Sequence, residues 1–145
     1  MAVKIISVAK QLPQYFRETK DIIPFVKLWM QDQEERFQRK VIKLFEGAGV
    51  DKRYSIMSPE EVFTASSFEE KNTIYAREVV KLATESLKKA LEKAHLKATE
   101  IDYIIIVSCT GIMIPSMDAY LINSLAMKQD IVRLPVTEMG CAAGV

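Results

Sequence analysis

The sequence predicts an α/β domain built around a mainly parallel sheet, and three features carry that expectation. Residues 103–108 (YIIIVS) form an apolar run without alternation, as expected of a central strand covered on both faces. Long segments with apolar residues at helical spacing alternate with short β-branched runs. Their order is strand, helices, strand, helix, strand, helix, the pattern of a layered α/β fold.

Residues 3–9 (VKIISVA) are rich in β-branched side chains and end at a Lys-Gln-Leu-Pro stretch, which predicts a first strand. Thr19 is placed to cap a helix through Ile22, Ile23, Val26 and Leu28. Pro24 falls too late for a first-turn proline, so that helix is expected to begin with an irregular turn. From Asp32, a second helix follows Phe37, Val41, Leu44 and Phe45 and stops at Gly47 and Gly49. Residues 53–57 are short and extended. Ser58-Pro59-Glu60-Glu61 then joins a cap residue, a proline at the first helical position and an acid at the third.

Residues 65–71 are polar and read as loop. A long helix is expected from about Thr73 to His95, with Ala76, Val79, Val80, Ala83, Leu87 and Leu91 on one stripe. After the strand at 103–108, Gly111 and Pro115 break the run, and Ser116 caps a helix through Tyr120, Leu121, Leu125 and Met127. Residues 131–136 read as another strand despite Pro135. Gly140-Cys141 follows, with Ala142, Ala143 and Gly144 as the first turn of a helix.

The 145 residues have the size of one domain, and 49% hydrophobic with 27% charged residues is a globular composition. A net charge of +1 leaves no global field for nucleic acid, so any anion site must be local. Two cysteines and one histidine make neither a disulfide scaffold nor a four-ligand zinc site. The N-terminus lacks a signal-peptide pattern, and no run reaches the roughly 18 apolar residues of a membrane span. A cytoplasmic protein is expected. A chain ending in MGCAAGV, with no polar tail, reads as the first part of a longer protein.

Cys141 is the most chemical feature. A cysteine between a strand and a helix N-terminus meets unpaired N–H groups and the positive end of the helix dipole, and both favour thiolate. Gly140 permits the sharp turn. Taken alone, the same pattern also fits a cysteine packed among small residues. Cys109, at the end of a strand, reads as packing or pocket wall, and His95 as a cation at a helix C-terminus. Arg36, Arg39 and Lys43 fall at i, i+3 and i+7, on one helix face. They suit either a solvated surface or a ligand with several phosphates.

Three motifs in order resemble the chalcone synthase superfamily, the type III polyketide synthases. TEMGCAAGV at 137–145 is similar to the family's nucleophile motif, VSCTGIMIPSMDAYLI at 107–122 to its strand-loop-helix, and DKRY at 51–54 to its Lys-Arg-Tyr. The resemblance spans the chain and implies a thiolase-like, layered αβαβα fold. On this reading, residues 1–145 are an incomplete N-terminal domain and the C-terminal domain is absent. Such a piece is expected to be inactive and poorly stable alone.

The resemblance also implies that Cys141 takes an acyl group from a coenzyme A thioester. Arg36, Arg39 and Lys43 match the positions that hold the coenzyme A phosphates. Thr110 matches a pocket-lining position, and Ile114 the location of a residue that crosses the dimer interface. The family's histidine and asparagine would lie beyond residue 145. Acyl-CoA and malonyl-CoA are the implied substrates, with no cofactor or metal, and the complete protein is expected to be a homodimer. The rivals are a ketoacyl-carrier-protein synthase III, whose motif reads Ala-Cys-Ala/Ser-Gly-Phe, and hydroxymethylglutaryl-CoA synthase, with Tyr-Gly-Gly after cysteine. A non-catalytic acyl-CoA-binding module is the reading from another class.

Overall fold

The computed structural model describes residues 2–64, 67–137 and Met139. Two compact units divide the chain: Leu12–Ser66, and Met1–Gln11 together with Ser67–Val145.

The smaller unit is a helical hairpin beside a two-stranded ribbon. Strand β1 (Tyr15–Glu18) leads into helix α1 (Thr19–Trp29), helix α2 (Glu35–Gly47), strand β2 (Lys52–Ser55) and helix α3 (Pro59–Val62). β1 pairs antiparallel with β2, so that Phe16 faces Tyr54 and Arg17 faces Arg53. The sequence carried no expectation of β1, because YFRE has no apolar alternation. Its partner thirty-odd residues away creates it, and the Phe16 and Tyr54 rings meet at a tilt of 37°, centroids 5.8 Å apart. Glu18, not Thr19, holds the cap position of α1. Thr19 is the first helical residue: its hydroxyl donates to the Val50 carbonyl and its N–H to that of Asp51 at 2.8 Å. No irregular start is seen. Pro24 lies inside a continuous helix, where its missing N–H leaves one carbonyl, that of Lys20, without its helical donor.

Ile22, Val26 and Met30 form this unit's buried core, covered by Val41, Ile42, Phe45 and Phe63. α2 starts at Glu35 rather than near Asp32, because a turn closed by the Gln33 N–H on the Met30 carbonyl (2.9 Å) comes first. It ends as expected, with Gly49 in the left-handed region at φ 64°. The predicted start of α3 forms a full capping box: Ser58 Oγ accepts from the Glu61 N–H, and Glu61 accepts from the Ser58 N–H at 2.8 Å.

The larger unit contains helix α4 (Phe68–Ala94), a 3-10 turn (Ala98–Glu100), strand β3 (Tyr103–Val107), helix α5 (Met117–Ser124) and strand β4 (Val132–Val136). α4 begins before the expected Thr73. Ser67 and Glu70 make a second capping box inside the stretch read as loop, with bonds of 2.9 and 3.1 Å. His95 ends α4 by backbone conformation, in the left-handed region at φ 56°. β3 and β4 run parallel, Tyr103 opposite Val132 through Val107 opposite Val136. Pro135 fits because the Val132 N–H and the Val136 carbonyl turn to β3, which leaves the missing N–H of Pro135 on the other side, where no described strand pairs with β4. The core joins Ile104, Met117, Leu121, Met127 and Ile131 to Val79, Val80, Ala83 and Leu87 of α4.

Two further expectations need correction. Residues 3–9 form no strand among the described residues. They run extended along α4 instead: Ser7 Oγ donates to the Ala90 carbonyl at 2.8 Å, and Lys93 to that of Val8 at 3.1 Å. A strand exists only by pairing, and no described strand lies beside this one. β3, expected to be buried on both faces, is buried on one. Ile104 and Ile106 face the helices, whereas Tyr103, Ile105 and Val107 are 48, 58 and 39% exposed.

Candidate active site

Parallel strands gather their functional residues at the carboxyl ends, and β3 and β4 end side by side. The Ser108 N–H extends the pairing by one bond to the Val136 carbonyl, at 3.0 Å. Beyond it the chain turns into the irregular loop 109–116. Cys109 and Thr110 stand exposed on that loop, and Ile114, ahead of a cis proline, is 94% exposed. Thr137 continues from β4 toward Cys141, which lies outside the described residues together with Gly140 and 142–145.

Two side chains of α4 meet this loop. The Asn72 amide donates to the Ile112 carbonyl at 2.9 Å, and its carbonyl accepts the Ile112 N–H at 2.8 Å. The buried Tyr75 hydroxyl shares a hydrogen bond with Ser108 Oγ. Its ring lies beneath Gly111, where an added Cβ would come within 2.3 Å of the ring. A small cavity of about 20 Å³ touches Tyr75, Ser108, Gly111 and Thr137, so loop and strand end share one wall. Sequence reasoning missed Asn72 and Tyr75. Their partners lie 40 and 33 residues away, and no local pattern announces such contacts.

The far end of the loop is held by Asp118, a fully buried acid at the start of α5. Arg133 Nε donates to one carboxylate oxygen at 2.5 Å and Ser116 Oγ to the other. Burial pushes the Asp118 carboxyl up. The Arg133 and Ser116 hydrogen bonds and the Arg133 charge outweigh it, leaving the group below its ordinary value. Ser116 therefore serves Asp118 and makes no side-chain cap bond to the helix.

In the smaller unit, Arg36, Arg39 and Lys43 all lie on α2 and are exposed, as their spacing predicts. Arg39 pairs with Glu35 one turn back at 3.0 Å. Val41, Ile42 and Phe45 turn the opposite stripe to the core. The Lys-Arg-Tyr motif falls in β2. Its Arg53 guanidinium lies 4.8 Å over the Phe45 ring and donates to the Phe45 carbonyl at 3.5 Å, fastening the last turn of α2. Among the described residues no cluster of three or more His, Cys, Asp and Glu could hold a metal.

The family model described as "Chalcone and stilbene synthases, N-terminal domain" matches residues 2–145. The chain belongs to this family. It is 39% identical over 103 residues to 1,3,6,8-tetrahydroxynaphthalene synthase of Streptomyces coelicolor, covering 71% of this chain and 28% of that protein. Against phloroglucinol synthase of Pseudomonas fluorescens the identity is 35% over 95 residues, 66% of this chain and 27% of that one. The crystal structure of the Streptomyces coelicolor tetrahydroxynaphthalene synthase, a bacterial type III polyketide synthase, superposes with a TM-score of 0.83 at 31% identity. It covers 94% of this chain and 38% of that one. A fungal type III polyketide synthase, ORAS, shares the fold at a TM-score of 0.81 and 24% identity. The thiolase-like α/β expectation therefore holds. The matched stretches span 28% and 27% of the length of these two curated relatives.

Proposed function

We propose that this chain is the N-terminal part of a type III polyketide synthase, an acyltransferase that extends an acyl-CoA starter with malonyl-CoA units. The observation that carries the reading is the family match along residues 2–145, supported by 39% identity to a tetrahydroxynaphthalene synthase. In this reading Cys141 is the nucleophile. Its thiolate attacks the thioester carbonyl of the starter, and coenzyme A leaves as the thiolate and takes up a proton. Malonyl-CoA then loses carbon dioxide to give an enolate, whose oxyanion is held by histidine and asparagine side chains supplied beyond residue 145. The enolate carbon attacks the acyl-cysteine carbonyl and expels the Cys141 thiolate, and the cycle repeats.

Arg36, Arg39 and Lys43 hold the coenzyme A phosphates as a fixed set of cations on α2. Thr110 lines the pocket, and Ile114 lies at the interface of a homodimer. The reaction needs neither a metal nor an organic cofactor. A cytoplasmic enzyme fits a chain in which no described helix is long and apolar enough to cross a membrane.

The test is a supply of acyl-CoA and radiolabelled malonyl-CoA to the full-length protein without carrier protein. Polyketide formation, abolished by Cys141→Ala, is expected. Product only when a carrier protein is added would replace this reading by a ketoacyl-carrier-protein synthase III. Slow iodoacetamide labelling of Cys141, with the profile of an ordinary thiol near pH ~8.5, would favour a binding module instead.

A further inference from the structure

The loop after β3 owes its shape to α4 more than to itself. Past Ser108, no backbone–backbone hydrogen bond holds residues 109–115 among the described residues. The Asn72 amide replaces one, pairing with both the N–H and the carbonyl of Ile112 as a neighbouring strand would. Tyr75 supplies the other fixed points, at Ser108 Oγ and beneath Gly111. Only Cys109 and Thr110 lie between these anchors, and both are exposed. Their backbone has little freedom while both ends are held, and much more once one end is released.

We infer that Asn72 is a positioning residue for condensation, with Tyr75 as second anchor, acting through the loop that carries Thr110 and whose Gly111 shares a small cavity with Thr137 after β4. The inference rests on the polyketide synthase reading and on Cys141 as nucleophile. Acyl loading needs only the thiolate and the starter thioester. Repeated extension needs a wall of fixed shape, because each enolate must meet a longer acyl chain at the same sulfur. Loosening the loop therefore leaves loading intact and disturbs elongation.

The experiment uses the full-length enzyme and the variants Asn72→Ala, Asn72→Asp and Tyr75→Phe. Active sites are counted by iodoacetamide labelling of Cys141. Per labelled site, Asn72→Ala and Tyr75→Phe are expected to load acyl groups as the wild type does. They should release roughly tenfold more prematurely shortened product relative to the full-length polyketide. Asn72→Asp keeps the acceptor for the Ile112 N–H and loses the donor to its carbonyl, so it should fall between. Hydrogen exchange at the Ile112 amide should quicken in the order wild type, Asn72→Asp, Asn72→Ala. An unchanged product ratio per labelled site overturns the inference, including the case where activity falls only in proportion to labelled sites. A wild-type protein that makes no polyketide overturns the functional reading and takes this inference with it.

Discussion

Asp118 shows how one buried side chain ties together the site's frame. Removed from water, its carboxylate is tolerable only because Arg133 and Ser116 donate to both of its oxygens. Its carboxyl lies below the ordinary value in the folded chain, while the unfolded chain keeps a value near 3.9. The stabilisation is therefore fully present above about pH 4 and is lost as the pH falls through that value toward the folded one. Asp118→Asn keeps a similar shape without the charge. It is expected to lower stability near neutral pH by about 1.5–3 kcal/mol, the weight of a hydrogen bond to a charged group. It should also flatten the stability profile between about pH 5 and pH 3. Urea midpoints of the full-length protein across that range measure both effects, and an equally steep acid loss in the variant would refute the assignment. None of this was legible in sequence. Asp118 stands two residues after the capping serine, and nothing local tells of an arginine fifteen residues on.

At the scale of elements, the sequence was most readable where a periodic stripe meets its own cap. α2 and α3 follow their patterns closely, since local bonds decide a capping box or a glycine stop. α4 began earlier than expected because its Ser67–Glu70 box lies in a polar stretch, where the apolar stripe has not yet started. β1 and residues 3–9 were misjudged for one reason: a strand depends on its neighbour, and neighbours are not local. The basic face of α2 gives this scale its prediction. Arg39 is exposed and its pair with Glu35 is worth only a few tenths of a kcal/mol, so Arg39→Ala should leave the helix standing. With coenzyme A phosphates on this face, the variant should raise KM for malonyl-CoA roughly three- to tenfold at unchanged kcat. The defect should shrink at high salt. It should vanish with a pantetheine thioester, which carries no nucleotide phosphates. An equal loss with both substrates would remove the coenzyme A role from Arg39.

For the molecule as a whole, the open face of the β3–β4 sheet matters most. Tyr103, Ile105, Val107, Val132 and Leu134 are all at least 39% exposed, while Ile104 on the opposite face is buried beneath the helices. Five large apolar side chains on two adjacent strands exceed the scattered exposure ordinary on a soluble surface. The expectation of a strand covered on both sides came from the unbroken YIIIV run. That composition suits a longer protein, and the stretch matched to the tetrahydroxynaphthalene synthase covers only 28% of that relative. A single substitution made in two contexts tests whether such cover exists. Ile105→Lys in the 145-residue chain places a charge on a face open to water, so it should change stability by no more than about 0.5 kcal/mol and reduce self-association seen by light scattering. In the full-length protein the same lysine would be sealed against apolar neighbours, and a loss of roughly 3 kcal/mol or more is expected. Thermal unfolding of both pairs decides it. Equal, small effects in the two contexts would mean that the face stays open in the longer protein as well, and that YIIIV records something other than burial.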